Sequence, residues 1–132
     1  VAGTLLAEII DDALEAVTFT ESGVKLDFGD AWFTVHSWPT VYLGDEGWSF
    51  GDRGYRDALC AFISQDVTAF SDSPDDGVVL VFTLGRIITK PQPGEVDGPE
   101  VAQLAIYDPM DQRSHIAIWT ASEGTFSGPA WD

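Results

Sequence analysis

Two stretches of this chain nearly repeat each other, and they restrict its fold more than any other feature. Gly23-Val24-Lys25-Leu26-Asp27-Phe28 is matched by Gly77-Val78-Val79-Leu80-Val81-Phe82. Each passes through a short break into a second strand-like segment, residues 31–36 and 85–90, and each ends near a proline, Pro39 or Pro93. The first stretch alternates apolar and polar residues, as a strand with one buried face does; the second is apolar on both faces and reads as central. Two hairpins are therefore predicted, Gly23 to His36 and Gly77 to Lys90, with Phe28 and Phe82 at equivalent inward positions.

A helical pattern precedes each hairpin. Leu6, Ile9, Ile10, Ala13 and Val17 form one stripe, and Leu59, Cys60, Ile63 and Val67 form the other. Apolar residues at such spacing predict two amphipathic helices, the first showing Glu8, Asp11, Asp12 and Glu15 to water. Cys60 lies in the apolar run from Ala58 to Ile63 and is expected to be buried. Two further strands follow, Val101 to Tyr107 and His115 to Trp119, joined by a turn at residues 108–111. Residues 71–77 and 90–100 read as loops, and Trp131 is expected to pack back onto the body. The fold class is α+β: a mainly antiparallel, strongly curved sheet of about six or seven strands with two helices. It forms a single acidic domain over residues 1–132, with internal helix–strand–hairpin repeats at 5–39 and 55–93.

Charge narrows the partners. The chain carries 22 Asp and Glu against 6 Lys and Arg, a net charge of -16 on 132 residues. With 45% hydrophobic and 12% aromatic residues it is not the composition of a disordered acidic segment, so the charge forms the skin of a folded domain. Such a skin repels nucleic acid and anionic lipid and attracts basic proteins. Scarce Lys and the absence of Asn also fit a GC-rich or salt-adapted source, in which acidity would be general solvation. The N-terminal region has no basic leader, and its apolar residues are interrupted by Glu8, Asp11 and Asp12. Neither a signal peptide nor a membrane span is predicted. With one cysteine and no internal disulfide, a cytoplasmic location is expected.

Catalytic chemistry finds little to work with. His36 and His115 are the only imidazoles, and no His or Cys spacing typical of metal sites occurs. Neither Asp72, Asp75 and Asp76 nor Asp45, Glu46 and Asp52 has the spacing of a calcium loop. No nucleophile elbow and no glycine-rich phosphate loop is present. The expectation is a protein without enzymatic activity, metal or cofactor.

The densest unusual segment runs from Ser37 to Tyr55. It packs Trp38, Tyr42, Trp48, Phe50 and Tyr55 among Gly44, Gly47, Gly51 and Gly54, with Asp45, Glu46 and Asp52 interleaved. Aromatics rimmed by carboxylates suit a partner-binding surface, the rings as anchors and the acids steering a basic protein. The same rings equally suit a cap over one end of the core.

The paired hairpins, with the connector from Arg56 to Val67 between them, resemble small uncharacterised actinobacterial domains that sit among polymorphic-toxin and immunity genes. The resemblance spans roughly residues 17 to 93. Those domains usually carry an Asp-Gly turn in each hairpin, whereas Gly29-Asp30 and Leu84-Gly85 stand here. It implies an immunity or inhibitor protein occluding a basic partner such as a nuclease or deaminase toxin. The first alternative is a structural or assembly module, a virion or surface component. The second is a small-ligand-binding domain with a pocket between helix and sheet.

Overall fold

Both hairpins form, and they form in the same register. In the computed structural model, which describes residues 6–73, 76–90, 100–110, 112–122 and 125–127, β1 (Ala16–Phe19), β2 (Val24–Asp27) and β3 (Ala31–Val35) make an antiparallel meander. After β4 (Thr40–Leu43), β5 (Glu46–Trp48) and a helix, α1 (Tyr55–Cys60), a second meander follows: β6 (Val67–Ser73), β7 (Gly77–Phe82) and β8 (Gly85–Thr89). Val24 pairs with Val35 and Leu26 with Phe33; at the matching positions Val78 pairs with Thr89 and Leu80 with Ile87. Phe28 and Phe82, each one residue past its paired segment, are both buried.

A steric constraint is shared as well. A Cβ on Gly23 would lie 2.0 Å from the Val35 carbonyl oxygen, and one on Gly77 2.2 Å from that of Thr89. Each hairpin thus opens at a point where the facing backbone leaves room for hydrogen alone.

The strands after each meander change sheets. β4 leaves the first meander to pair with β8, and β9 (Glu100–Asp108) leaves the second to pair with β3. β5 extends one sheet, while β10 (Arg113–Ser122) and β11 (Thr125–Ser127) extend the other. The result is a six-stranded sheet, β1-β2-β3-β9-β10-β11, and a five-stranded sheet, β5-β4-β8-β7-β6. The mainly antiparallel β character is as expected, but a single curved sheet of six or seven strands is not what forms. Each meander has one fully buried apolar face (in β7 Val78, Leu80 and Phe82, with Val79 and Val81 on the other side only half-buried), and a sheet must bury such a face against another layer. Leu26, Phe33, Leu104 and Trp119 of one sheet and Val41, Leu80, Phe82 and Ile87 of the other belong to one shared core. The Trp119 indole N–H, on β10, donates to Asp72 Oδ1 on β6 at 3.1 Å, joining the layers. Burial there pushes the Asp72 carboxyl above its ordinary value, with the indole hydrogen bond opposing the shift.

The helices differ most from expectation. Among the described residues, the stretch expected to form the first helix holds a 3-10 turn, Ala7–Ile9, preceded by helical Leu6. Leu6 and Ile9 are fully buried, but Asp11 adopts φ 73° and the chain leaves extended, so Ala13 bridges to Asp66 and Val17 lies in β1. α1 exists but buries Tyr55, Ala58 and Leu59, with Phe62 one turn on, rather than the stripe containing Cys60 and Ile63. Cys60 is exposed, correcting its assignment to the core. Val67 begins β6, which runs to Ser73, so residues 71–73 are strand rather than loop. The turn after β9 is as expected, with the Met110 N–H donated to Asp108 Oδ1 at 2.9 Å. Residues 91–99 and Trp131 lie outside the described residues. No helix among those described is long and apolar enough to cross a membrane.

Candidate functional site

The aromatic segment folds into the β4–β5 hairpin and the loop that leads from it into α1. Tyr42 pairs with Gly47 across the hairpin and with Arg86 on the other side. By alternation Thr40 and Tyr42 face outward from the five-stranded sheet, while Val41 joins the core. The Tyr42 ring lies over Gly47, where an added Cβ would meet it at 2.8 Å, and the Arg86 guanidinium sits 4.2 Å from the ring centroid. A glycine in this strand is what lets the ring lie down, and the cation covers its face.

Past β5 the chain turns back. The Ser49 N–H donates to the Asp52 carboxylate at 2.7 Å, and this turn carries Phe50 onto Trp38. The two rings stack with centroids 4.2 Å apart and planes 15° apart. Phe50 also meets Tyr55 edge-on at 6.1 Å. Tyr55 is itself buried and donates its O–H to the Pro39 carbonyl at 2.5 Å, which ties α1 to the residue after Trp38. Burial raises the Tyr55 phenol well above the ordinary tyrosine value.

The eight residues singled out in the sequence therefore divide. Trp38, Tyr42 and Phe50 come together on the outer face. Trp48, paired with the core-facing Val41, and the buried Tyr55 turn toward the core, while Trp38 also packs against the core but lines the outer cleft. Asp45 and Glu46 are exposed at the end of the hairpin. Asp52 is exposed too, but its carboxylate holds the Ser49 turn. One segment thus supplies both an outer surface and a cap over the core.

Between the three outer rings lies a cleft of about 690 Å³, within the range of small-molecule sites. Among the described residues, Thr40, Ser49, Ile88 and Lys90 also line it. The β8 contribution escaped the sequence reading. Residues 85–90 alternate, which places Arg86 and Ile88 on one face, but nothing local shows that this face lies beside β4. Phe50 also borders a second cleft of about 300 Å³, lined by Asp52, Asp57 and Arg56 among others. A third cleft of about 400 Å³ on the other sheet includes Glu8, Asp108 and His115.

The two histidines serve elsewhere. His36 Nε2 lies 3.2 Å from Glu100 Oε1 between β3 and β9, and His115 Nε2 lies 4.0 Å from Asp108. Among the described residues no group of three or more His, Cys, Asp or Glu is placed to hold a metal ion. Comparison with family models, with curated proteins and with solved structures finds no match.

Proposed function

We propose that this chain is a non-catalytic binding protein of the immunity or inhibitor type, which occludes a basic protein partner. The observation that carries the reading is the layout of one hairpin: Asp45 and Glu46 exposed at its tip, and the Trp38–Phe50 stack, with Phe50 53% exposed, at its base. Tip and base are separated by a strand of three to four residues, roughly 10–13 Å, well inside the footprint of an ordinary protein interface. Carboxylates at one end raise the encounter rate with a cationic surface, while rings at the other supply contact area that slows escape. A net charge of -16 extends the attraction beyond the contact itself.

The experiment is capture from a lysate of the source cell on two immobilised baits, the wild type and the triple variant Asp45→Asn, Glu46→Gln, Phe50→Ala. A basic protein held by the first and lost from the second is the expected result. Identical retention by both baits overturns the reading.

One observation favours the assembly alternative. The outer face of the six-stranded sheet is apolar around Trp32, Ala105 and Ile116, which lie in one cross-strand row, and Ile116 and Ile118 are 49% and 38% exposed. A subunit contact through that face would make the solution mass rise with protein concentration and fall back in Ile116→Asp.

A further inference from the structure

The half of the chain carrying β1–β5 and the half carrying β6–β10 are related by a pseudo-twofold axis, and the relation extends well past the hairpins. β4 and β5 lie on β8 as β9 and β10 lie on β3: Val41 pairs with Ile87 and Trp48 where Leu104 pairs with Phe33 and Ala117. Exchange of the halves turns the order β5-β4-β8-β7-β6 into β10-β9-β3-β2-β1, the run found in the other sheet. The segments ahead of the meanders correspond as well. Leu6, Ile9 and Leu14 are buried, as are Leu59, Phe62 and Val67 at the matching positions. The left-handed residue between the second and third is Asp11 in one half, at φ 73°, and Ser64 in the other, at φ 77°. At the axis the hydrogen bonds are reciprocal. The Asp11 N–H donates to the Val67 carbonyl at 2.8 Å, and the Ser64 N–H to that of Leu14 at 2.7 Å. Leu14 in turn donates to Gln65, and Val67 to Asp12, both at 3.0 Å. Between them Ala13 bridges to Asp66, its own counterpart.

A contact in which residue i meets j while j meets i is the isologous contact of a symmetric dimer. We infer that the surface joining the halves fits a second copy of this chain, the β1–β5 half of one molecule closing on the β6–β10 half of another and the reverse. This interaction is independent of the basic partner proposed above. The exchanged dimer remakes the β3–β9 and β4–β8 pairings and the Ala13–Asp66 bridge, and the connection from Ser49 to Gly54 is what changes. That connection is exposed throughout, and its Gly51 and Gly54 hold φ of 95° and 90°. Glycines can leave that region without a steric penalty, so they serve as hinges. The closed form is held locally by the Ser49–Asp52 turn and the Phe50–Trp38 stack.

The test uses the intact chain carrying Cys60→Ser, Ala13→Cys and Asp66→Cys. The flanking hydrogen bonds make Ala13 and Asp66 a non-hydrogen-bonded antiparallel pair, with Cα atoms about 4.5 Å apart in such pairs and so within disulfide reach. Neither side chain is buried. Unlabelled and isotope-labelled chains are mixed, unfolded under reducing conditions, refolded over a range of concentrations and oxidised, and the cross-linked peptides are mapped. A short connection gives an effective concentration on the order of 1 mM. Expected is a covalent dimer roughly a hundredth as abundant as monomer at about 10 μM and comparable to it at about 1 mM, with 13–66 peptide pairs of mixed label. Deletion of residues 51–53, which removes the turn that folds the connection back, should make that dimer the main species at the lower concentration. The series on the full-length connection decides by itself if the shortened chain does not fold. Absence of mixed-label 13–66 pairs at every concentration, or a covalent dimer cross-linked only between like positions, overturns the assignment.

Discussion

Tyr55→Phe is a one-atom test of how the site is held. The tyrosine is 3% exposed, and its hydroxyl is donated to the carbonyl of Pro39, itself buried. Phenylalanine keeps the ring volume and opens no cavity, so the cost comes from the hydrogen bond. It leaves a buried carbonyl without this partner, a loss of about 1–3 kcal/mol. Urea unfolding should therefore show a lower midpoint at unchanged slope. The pH dependence supplies an independent check. Burial raises the folded-state phenol above its ordinary value of 10.0, so ionisation favours the unfolded chain. The wild type keeps the whole contribution below pH 10 and loses it as pH climbs from there toward the folded value, by up to about 1.4 kcal/mol per unit. Tyr55→Phe has no such group, so the gap between the two proteins should close on the alkaline side. A neutral-pH loss under about 0.5 kcal/mol, or a gap that stays constant through the alkaline range, refutes the reasoning.

Further outcomes follow from packing and charge. Gly23→Ala and Gly77→Ala drive a methyl into the facing carbonyl and should each cost roughly 2–4 kcal/mol through lost strand pairing. Gly44→Ala, at φ 61° with no atom within 4 Å of the new Cβ, should cost only about 1–2 kcal/mol by the same denaturation assay. Ile9→Ala should lose roughly 2–5 kcal/mol because the side chain is fully buried, and Ile10→Ala, half-buried, distinctly less. Asp72→Asn keeps an oxygen for the Trp119 indole and removes a partly buried charge, so stability at neutral pH should hold or rise. Because burial raises the Asp72 carboxyl, its contribution is complete below 3.8 and lost as pH rises through the folded value. The advantage of the asparagine variant should accordingly narrow on acidification.

The hairpins were legible in the sequence because strand periodicity is local: Leu26 and Phe28, or Leu80 and Phe82, declare one face within a few residues. The first helix misled because Leu6, Ile9, Ala13 and Val17 fit a 3.6-residue period while occupying a 3-10 turn, a bridge and a strand. No Gly or Pro marks the break, which falls at Asp11 in a left-handed conformation. In α1 the buried stripe of Tyr55, Ala58, Leu59 and Phe62 also follows helical spacing, and Cys60 and Ile63 offered a competing stripe on the opposite side. The exchange of β4 and β9 between sheets was out of reach altogether. Pairing Tyr42 with Arg86 is a long-range choice, made by which apolar faces must close on each other. That choice assembles the cleft, so its rings could be named from the sequence and its β8 lining could not.

The reading of this chain as a steered binder of a basic protein is tested most directly by the association rate with the captured partner as ionic strength rises. Expected is a rate that falls steeply with salt for the wild type. Asp45→Asn with Glu46→Gln should start slower and fall less, while Phe50→Ala chiefly hastens dissociation. An association rate indifferent to salt and unchanged by removal of the two tip carboxylates would contradict it.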